Sequence, residues 1–410
     1  MQPAISSNQA VYERKPAHPV VRPLTIPLYI YAVIFSSFCV VMGLLWDIMW
    51  HMSIGRDGLF APPHVVIYTG AVVAALASAY QILSLTLTQK HPGRAAAVPF
   101  WGVFYGPLGA MFCVWGALLM LTSAPFDDWW HNTYGLDVQI LTPPHTLLIV
   151  GIMTVQFGAI VSVLALQNRA RYTALTDQNT SARLKWLFAI AAGLLLSMLC
   201  SLFAESLTRG QSHNSTYYMT VALAMPFYLT AMGRASLLRW PITMVTGLFM
   251  VFFLLPSWLL QYFPATPRLG PVLNPITHYQ PFLFPPLFIV SGLVMDWLSH
   301  RFDNAETERK WNDWVLAGIL GTAFLVVLLL VQWPFGEFLH TSPLARNHFF
   351  LSYSLMYSRT PSSPYRYAYN LERMQSTADF AIGFGKALLY AILSARIGLL
   401  WGSWMKRVVR

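Results

Sequence analysis

Apolar stretches of about 20 residues or more recur along almost the whole chain, and they constrain its fold more than any other feature. By this length criterion about ten stretches can each cross a bilayer as a helix, at 24–50, 63–88, 101–124, 143–167, 185–206, 216–238, 241–263, 279–299, 312–337 and 379–405. In lipid only helices and closed barrels satisfy their own backbone polar groups. The sequence therefore predicts an all-α polytopic membrane protein.

The composition supports this class. Of 410 residues, 56% are hydrophobic and only 10% are charged, which is too little charge to cover the surface of a soluble protein of this length. The net charge of +10 comes from basic residues confined to short loops, so we expect a lipid bilayer and no nucleic acid as the partner. The three cysteines lie inside apolar stretches, which excludes a disulfide framework: Cys39, Cys113 and Cys200.

Lysine and arginine alternate between the two ends of the predicted spans. They are frequent in the N-terminal tail 1–23, in every second loop and in the C-terminal tail, and sparser in the other loops apart from the long loop 338–378. Basic loops stay on the cytoplasmic side of a membrane. We therefore expect an integral protein, in a bacterial inner (plasma) membrane, with both termini cytoplasmic and the loop 338–378 outside.

One pattern occurs twice in the first four spans. It reads D-x-x-W-H, then about a dozen residues, then P-P-H and a glycine six residues further on. The first copy contains Asp47, Trp50, His51, Pro62, Pro63, His64 and Gly70, and the second contains Asp127, Trp130, His131, Pro143, Pro144, His145 and Gly151. Repetition at this fidelity predicts a duplicated helical hairpin.

The spacing of the repeat predicts a metal site in each copy. Residues four apart lie on one face of a helix, so Asp47 and His51 project together from the end of the first span. A short loop returns the chain to the membrane, and His64 opens the second span at the same depth. Two imidazoles and one carboxylate are a ligand set for a first-row divalent metal such as copper, zinc or iron. The second copy supplies Asp127, His131 and His145.

An Asp–His pair alone is a weak signal, because it also serves as a helix cap or an interfacial hydrogen bond. The chain contains such a pair on the cytoplasmic side, Asp296 and His300, with no P-P-H partner. The three-residue set that occurs twice in register carries the prediction. Four residues are candidates to contact and orient these ligands without binding the metal themselves: Arg56, Asp57, Trp50 and Trp130.

These residues resemble the C subunit of the copper membrane monooxygenases, the particulate methane and ammonia monooxygenases. The stretch "WHMSIGRDGLFAPPHVVIYTG" is similar to that family's W-H-x-x-x-x-R-D-x-x-F-x-P-x-H segment, and Asp47, His51 and His64 match its first copper site in type and spacing. The second copy keeps the spacing of the family's second site but has Asp127 in place of an asparagine. The resemblance covers roughly residues 24–165.

The resemblance implies copper, or zinc, at one or both sites, and O2 activation with hydroxylation of a small apolar or ammonia-like substrate. It also implies separate A-like and B-like subunits as partners. On this basis the chain divides into the cytoplasmic tail 1–23, a duplicated metal-site four-helix region 24–167, and a further six-helix membrane region 185–410 with the outer loop 338–378.

Two other functions fit the same residues. A metal-handling or transport protein would receive copper or zinc at the outer sites and pass it inward, although the methionines are scattered and the intramembrane cysteines stand alone. A haem- or quinol-binding electron-transfer protein would use His64 and His145 as axial ligands, which leaves Asp47 and Asp127 without a role.

Overall fold

A computed structural model of the chain describes residues 25–55, 58–88, 90–91, 93–135, 141–173, 177–302 and 312–410. The predicted N-terminal tail 1–23 lies outside the described residues. The described part contains ten α-helices: α1 (Leu28–Ser53), α2 (Pro62–Leu87), α3 (Leu108–Tyr134), α4 (Pro143–Thr173), α5 (Gln178–Leu202), α6 (Ser215–Ala235), α7 (Pro241–Leu260), α8 (Phe288–Phe302), α9 (Asp313–Thr341) and α10 (Thr377–Met405). A short antiparallel hairpin, β1 (Val98–Phe100) and β2 (Phe104–Gly106), connects α2 to α3.

Eight of the described helices are long and apolar enough to cross a membrane: α1 to α5, α7, α9 and α10. The chain is thus a helical membrane protein, as the apolar stretches predict. The helix ends follow local rules. Proline stands in the first turn of α2, α4 and α7, where a missing N–H costs no hydrogen bond. The side chains of Asp177, Asn312 and Ser376 cap the N-termini of α5, α9 and α10.

The helices pack in pairs, of which α1–α2 and α3–α4 are antiparallel and α6–α10 is parallel. The most extensive contacts join α1 to α2, α3 to α4 and α6 to α10, while α5, α7, α8 and α9 fill the space between these pairs. One continuous apolar core runs through the bundle and includes large buried side chains such as Phe188, Phe249 and Phe324. The two predicted hairpins are therefore two adjacent packed units, held together by contacts of α2 with α3 and of α1 with α4.

The predicted span 279–299 is wrong over its first half, since α8 begins only at Phe288. Residues 279–287 are mostly buried. They form no helix, because Pro281, Pro285 and Pro286 lack the N–H groups that a helix requires. Two of the remaining N–H groups of this segment donate hydrogen bonds to side chains of other elements. The N–H of Gln280 donates to Oγ of Ser53 (2.7 Å), and that of Leu287 donates to Oε1 of Gln332 (3.0 Å).

Two long connections lie at the same end of the bundle. The first, 261–287, joins α7 to α8, and the second, 342–376, joins α9 to α10 and contains two short 3₁₀ turns. The second corresponds to the predicted outer loop 338–378, shortened because α9 extends to Thr341. Both connections follow helices that run in the same direction as α1 and α3, so they lie at the end that carries the repeated histidines.

Two acidic side chains far from the repeat, Asp296 and Asp313, have partners within the bundle. Asp296 is 1% exposed and accepts hydrogen bonds from the main-chain N–H groups of Ile242 (3.2 Å) and Thr243 (2.8 Å), so it caps α7. Nη1 of Arg396 lies 3.9 Å from a carboxylate oxygen of Asp313, which also pairs with Arg234 at 2.8 Å.

The contact between α6 and α10 leaves no room for a side chain at Gly398. A methyl group there would meet Oγ1 of Thr230 and the main-chain carbonyl of Phe227, whereas a methyl group at Gly385 of the same helix would meet nothing within 4 Å. We expect Gly398→Ala to lower the free energy of unfolding by about 1–3 kcal/mol through overpacking. Gly385→Ala, the matched control, should be neutral or stabilising by up to about 1 kcal/mol. Unfolding in mixed micelles with increasing SDS measures both; equal stability of the two variants would contradict the close packing.

Candidate metal centre

Each site is built where one helix of a hairpin ends and the next begins. Asp47 and His51 lie in the last two turns of α1, and Asp127 and His131 lie near the end of α3. The proline pairs that start α2 and α4 fix the following histidine in the first helical turn. His64 and His145 are therefore placed opposite the carboxylate of the preceding helix.

In the first site the carboxylate of Asp47 lies between two imidazoles. Nε2 of His64 is 3.3 Å from Oδ1 of Asp47, and Nε2 of His51 is 3.8 Å from Oδ2. Asp47 and His64 are largely enclosed, while the side chain of His51 is 49% exposed. Oδ1 of Asp47 is a buried carboxylate oxygen that accepts no hydrogen bond. A cation held at this oxygen would compensate its burial.

The second site repeats the arrangement more compactly. Nε2 of His131 and Nε2 of His145 each lie 3.5 Å from an oxygen of Asp127. The ligand atoms of these three residues all lie within 4.8 Å of one another, and across the described ranges of the chain this is the group of three metal-ligating side chains that comes so close. The structure places the three predicted ligands of each triad near one another, and only the second triad forms such a compact group; metal binding at either triad stays a prediction.

These separations suit a shared ion. Two ligand atoms bound to one ion at about 2.0–2.2 Å, at an angle near tetrahedral, lie about 3.3–3.6 Å apart. The N–O separations in the second triad are both 3.5 Å. In the first triad His64 is at 3.3 Å and His51 at 3.8 Å, and its three ligand atoms do not form a group as compact as that of the second triad.

Main-chain carbonyls of the hairpin loops set the orientation of one imidazole in each site. Nδ1 of His64 lies 3.1 Å from O of Gly58, and Nδ1 of His131 lies 3.1 Å from O of Gly135. A carbonyl oxygen can only accept, so Nδ1 carries the proton and the lone pair of Nε2 points toward the carboxylate. Two electron-rich atoms that face each other need a cation between them, either a proton or a metal ion. This second hydrogen bond is also the usual support of a metal-bound histidine.

The glycine that closes each repeat controls how closely the two helices approach. A Cβ atom at Gly70 would lie 2.8 Å from O of Ser36 on α1, and one at Gly151 would lie 2.8 Å from O of Gly116 on α3. Such contacts are shorter than any side chain tolerates. The glycines therefore let α1 and α2, and α3 and α4, approach closely enough for ligands from both helices to meet.

The four residues predicted to orient the ligands lie as follows. Trp50 packs against Tyr279, with ring centroids 6.4 Å apart, and Trp130 packs against Tyr134 at 4.6 Å. Arg56 and Asp57 lie outside the described residues. It stays a prediction that these four side chains support the ligating residues. The carbonyls of Gly58 and Gly135 were not predicted; a glycine close to the ligating histidine in each loop is the sequence signal that could have indicated them.

The two sites differ in what covers them. The end of α1 bonds to both long connections: the N–H of Arg268 donates to O of Ile54 (2.8 Å), that of Gln280 to Oγ of Ser53 (2.7 Å), and that of Tyr357 to O of Met52 (3.2 Å). Near the second site, Trp129 and Tyr134 at the end of α3 and Leu141 before the start of α4 are all more than half exposed. The first site is thus bordered by both long connections, whereas exposed aromatic and apolar side chains lie near the second.

In comparisons with models of protein families, with curated proteins and with solved structures, nothing matches this chain. The argument for function therefore rests on the geometry of the two triads. The hypothesis to be tested against this geometry comes from the resemblance of the repeat to the monooxygenase C subunit.

Proposed function

We propose that the protein is a membrane-embedded, copper-dependent oxygenase-like subunit that holds a metal ion in each Asp/His/His triad. The observation that carries the proposal is the second triad, whose ligand atoms from Asp127, His131 and His145 all lie within 4.8 Å of one another. The first triad supports it with the same residue types and a buried carboxylate oxygen of Asp47 that accepts no hydrogen bond.

The donor set favours copper, with zinc as the second choice. Imidazole nitrogens suit copper, zinc and iron, and among divalent first-row ions copper binds such ligands most tightly. One carboxylate in each triad adds a full negative charge next to the ion. At Asp127, where the resembling family has a neutral amide, this charge should tighten binding of a divalent ion and disfavour its reduction.

Bound copper would supply the activation of O2 for hydroxylation of a small apolar or ammonia-like substrate. The residues of this chain would hold and orient the ion: the carboxylate and both Nε2 atoms as ligands, and the carbonyls of Gly58 and Gly135 as the groups that fix two of the rings. Hydroxylation also needs two electrons from a reductant. We propose that A-like and B-like subunits in the same lipid bilayer supply the remaining parts of such a complex.

We further propose that α1–α2 and α3–α4 arose as duplicated hairpins. They share the residue spacing, the carboxylate between two imidazoles and the closing glycine. Each also has one Nδ1–carbonyl bond of 3.1 Å, made by His64 of the second helix in the first hairpin and by His131 of the first helix in the second. In this proposal α6 and α8 complete ten membrane crossings. The buried irregular segment 279–287 extends the 15 residues of α8, and protein contacts rather than lipid satisfy its backbone.

Neither alternative function fits the geometry as well. A transport path needs ligands that continue across the bundle, whereas the compact group of three in the described residues lies at one helix end. A haem iron needs open space at Nε2 of His64 and His145, and these atoms lie 3.3 Å and 3.5 Å from carboxylate oxygens. A porphyrin does not fit into either gap.

The orientation that we propose places both termini in the cytoplasm of a bacterial cell. Both triads then lie at the outer face of the inner membrane. Gly58→Cys and Leu141→Cys should then react with a membrane-impermeant maleimide in intact cells, because a side chain at 58 meets open space and Leu141 is exposed. Thr88→Cys, at the other end of α2, should react only after permeabilisation. The native cysteines are buried and give little background. The reverse labelling pattern would contradict the orientation.

The metal sites are tested by removing one imidazole at a time. We expect protein from its native membrane to retain copper or zinc, and His131→Ala or His145→Ala to remove about one ion per chain, since losing one of three ligands costs more than the 10–100-fold typical of losing a residue that only orients a ligand. His51→Ala and His64→Ala should remove the other ion. His278→Ala, an exposed histidine that bonds to Thr277, is the matched control and should leave the metal content unchanged.

Further readouts separate the parts of the proposal. Asp127→Asn should keep its ion but bind it more weakly, because an amide oxygen coordinates without charge. Incorporation of ¹⁸O from ¹⁸O2 into the product of a small alkane or of ammonia should fall in the variants that lose metal and persist in His278→Ala. Unchanged metal in all four histidine variants would refute the sites. A wild-type complex that retains its metal but inserts no ¹⁸O would refute the oxygenase function alone.

A further inference from the structure

Three arginines from three separate segments surround one tyrosine beyond the end of α9. Arg209 belongs to a 3₁₀ turn between α5 and α6, Arg346 follows α9, and Arg366 lies later in the connection 342–376. Their guanidinium carbons lie 6.0, 3.7 and 4.9 Å from the centroid of the Tyr367 ring. Three positive charges, one of them from a connection more than 130 residues earlier in the chain, thus converge on one ring.

In the part of the chain that the structure describes, these charges have no acidic partner. Among the described residues, no carboxylate oxygen lies within 4.0 Å of any of the three guanidinium groups, and the acid at this end of α9, Glu337, lies 3.6 Å from Nε2 of His213 instead. Burial lowers the pKa of Arg209; Tyr367 opposes this shift, and the charges of Arg366 and Arg346 add to it. The fold therefore holds three like charges together at a cost that a bound anion would offset.

The arginines also have donors to spare. A guanidinium group carries five N–H donors, and here each group donates to one main-chain carbonyl: Arg209 to Ser352, Arg346 to Thr341 (3.4 Å) and Arg366 to Tyr353 (2.9 Å). Nε of Arg366 is buried and has no hydrogen-bond partner. A ligand with several acceptor oxygens would satisfy these remaining donors.

We propose that Arg209, Arg346 and Arg366 form a binding site for a phosphate group, supplied by a phospholipid headgroup or by free phosphate. Guanidinium groups bind phosphate oxygens in pairs of parallel hydrogen bonds, and a tetrahedral oxyanion can accept from three groups at once. Exposed apolar side chains lie on the same connection, among them Leu344 (77% exposed) and Leu371 (81%), and these would accompany the acyl chains of a lipid. The site is separate from both metal triads.

The test uses the full-length protein, delipidated in detergent, and follows its thermal unfolding. One probe is sodium phosphate against sodium chloride at equal ionic strength. The other is dioleoyl phosphatidic acid against dioleoylglycerol, which has the same chains and no phosphate. We expect saturable stabilisation by at least one phosphate-bearing probe. Stabilisation by inorganic phosphate identifies a free anion as sufficient, and stabilisation by phosphatidic acid alone identifies the lipid headgroup.

The double variant Arg346→Gln/Arg366→Gln should need at least about tenfold more of the effective probe for half of the stabilisation, because charge-assisted hydrogen bonds are lost. Arg359→Gln, an exposed arginine of the same connection, is the matched control and should respond as the wild type does. If the double variant does not fold, Arg346→Gln serves, since that side chain is exposed and makes one long bond of 3.4 Å. Failure of both probes on the wild type, or an unchanged response of the variant, would overturn the proposal.

Discussion

A carboxylate held between two imidazoles, where the two helices of a hairpin meet, is the interaction on which the account of this protein depends. Asp47 and Asp127 occupy this position in the two hairpins, and each faces one histidine of its own helix and one of the next. The arrangement requires helices that approach closely and a proline-initiated start to the second helix. It places electron-rich atoms face to face, and a cation resolves that conflict.

The two hairpins are alike in their triads but differ in the residues that surround them. The two long connections bond to the end of α1 beside the first site, whereas aromatic and apolar side chains near the second site are exposed. The ligating side chains differ less, since His51 of the first site is 49% exposed while His131 and His145 of the second are 29% and 32% exposed.

Local rules predicted much of this structure. Stretches of apolar residues indicated where helices lie, and the i, i+4 spacing with the P-P-H element brought together the six candidate ligands without any knowledge of the fold. The same reasoning failed at 279–287, where hydrophobicity predicted a helix but three prolines prevent it. Apolar composition measures burial, and in this segment the burial is provided by protein contacts in an irregular conformation.

What the sequence could not predict depends on contacts between distant residues. The bonds from Arg268, Gln280 and Tyr357 to the end of α1 join segments more than 200 residues apart, and the three arginines around Tyr367 come from two connections, one between α5 and α6 and one between α9 and α10. No spacing rule links such positions. The carbonyls of Gly58 and Gly135 lie within a few residues of their histidines, yet which imidazole nitrogen they meet depends on the loop conformation.

The most direct test of the central claim is anomalous X-ray diffraction from crystals of the protein purified from its native membrane, recorded on both sides of the copper and zinc absorption edges. We predict an anomalous peak about 2.0–2.2 Å from Nε2 of His131, Nε2 of His145 and a carboxylate oxygen of Asp127, and a second peak at Asp47, His51 and His64. Well-ordered triads with no anomalous density, or density only at other side chains, would contradict the account.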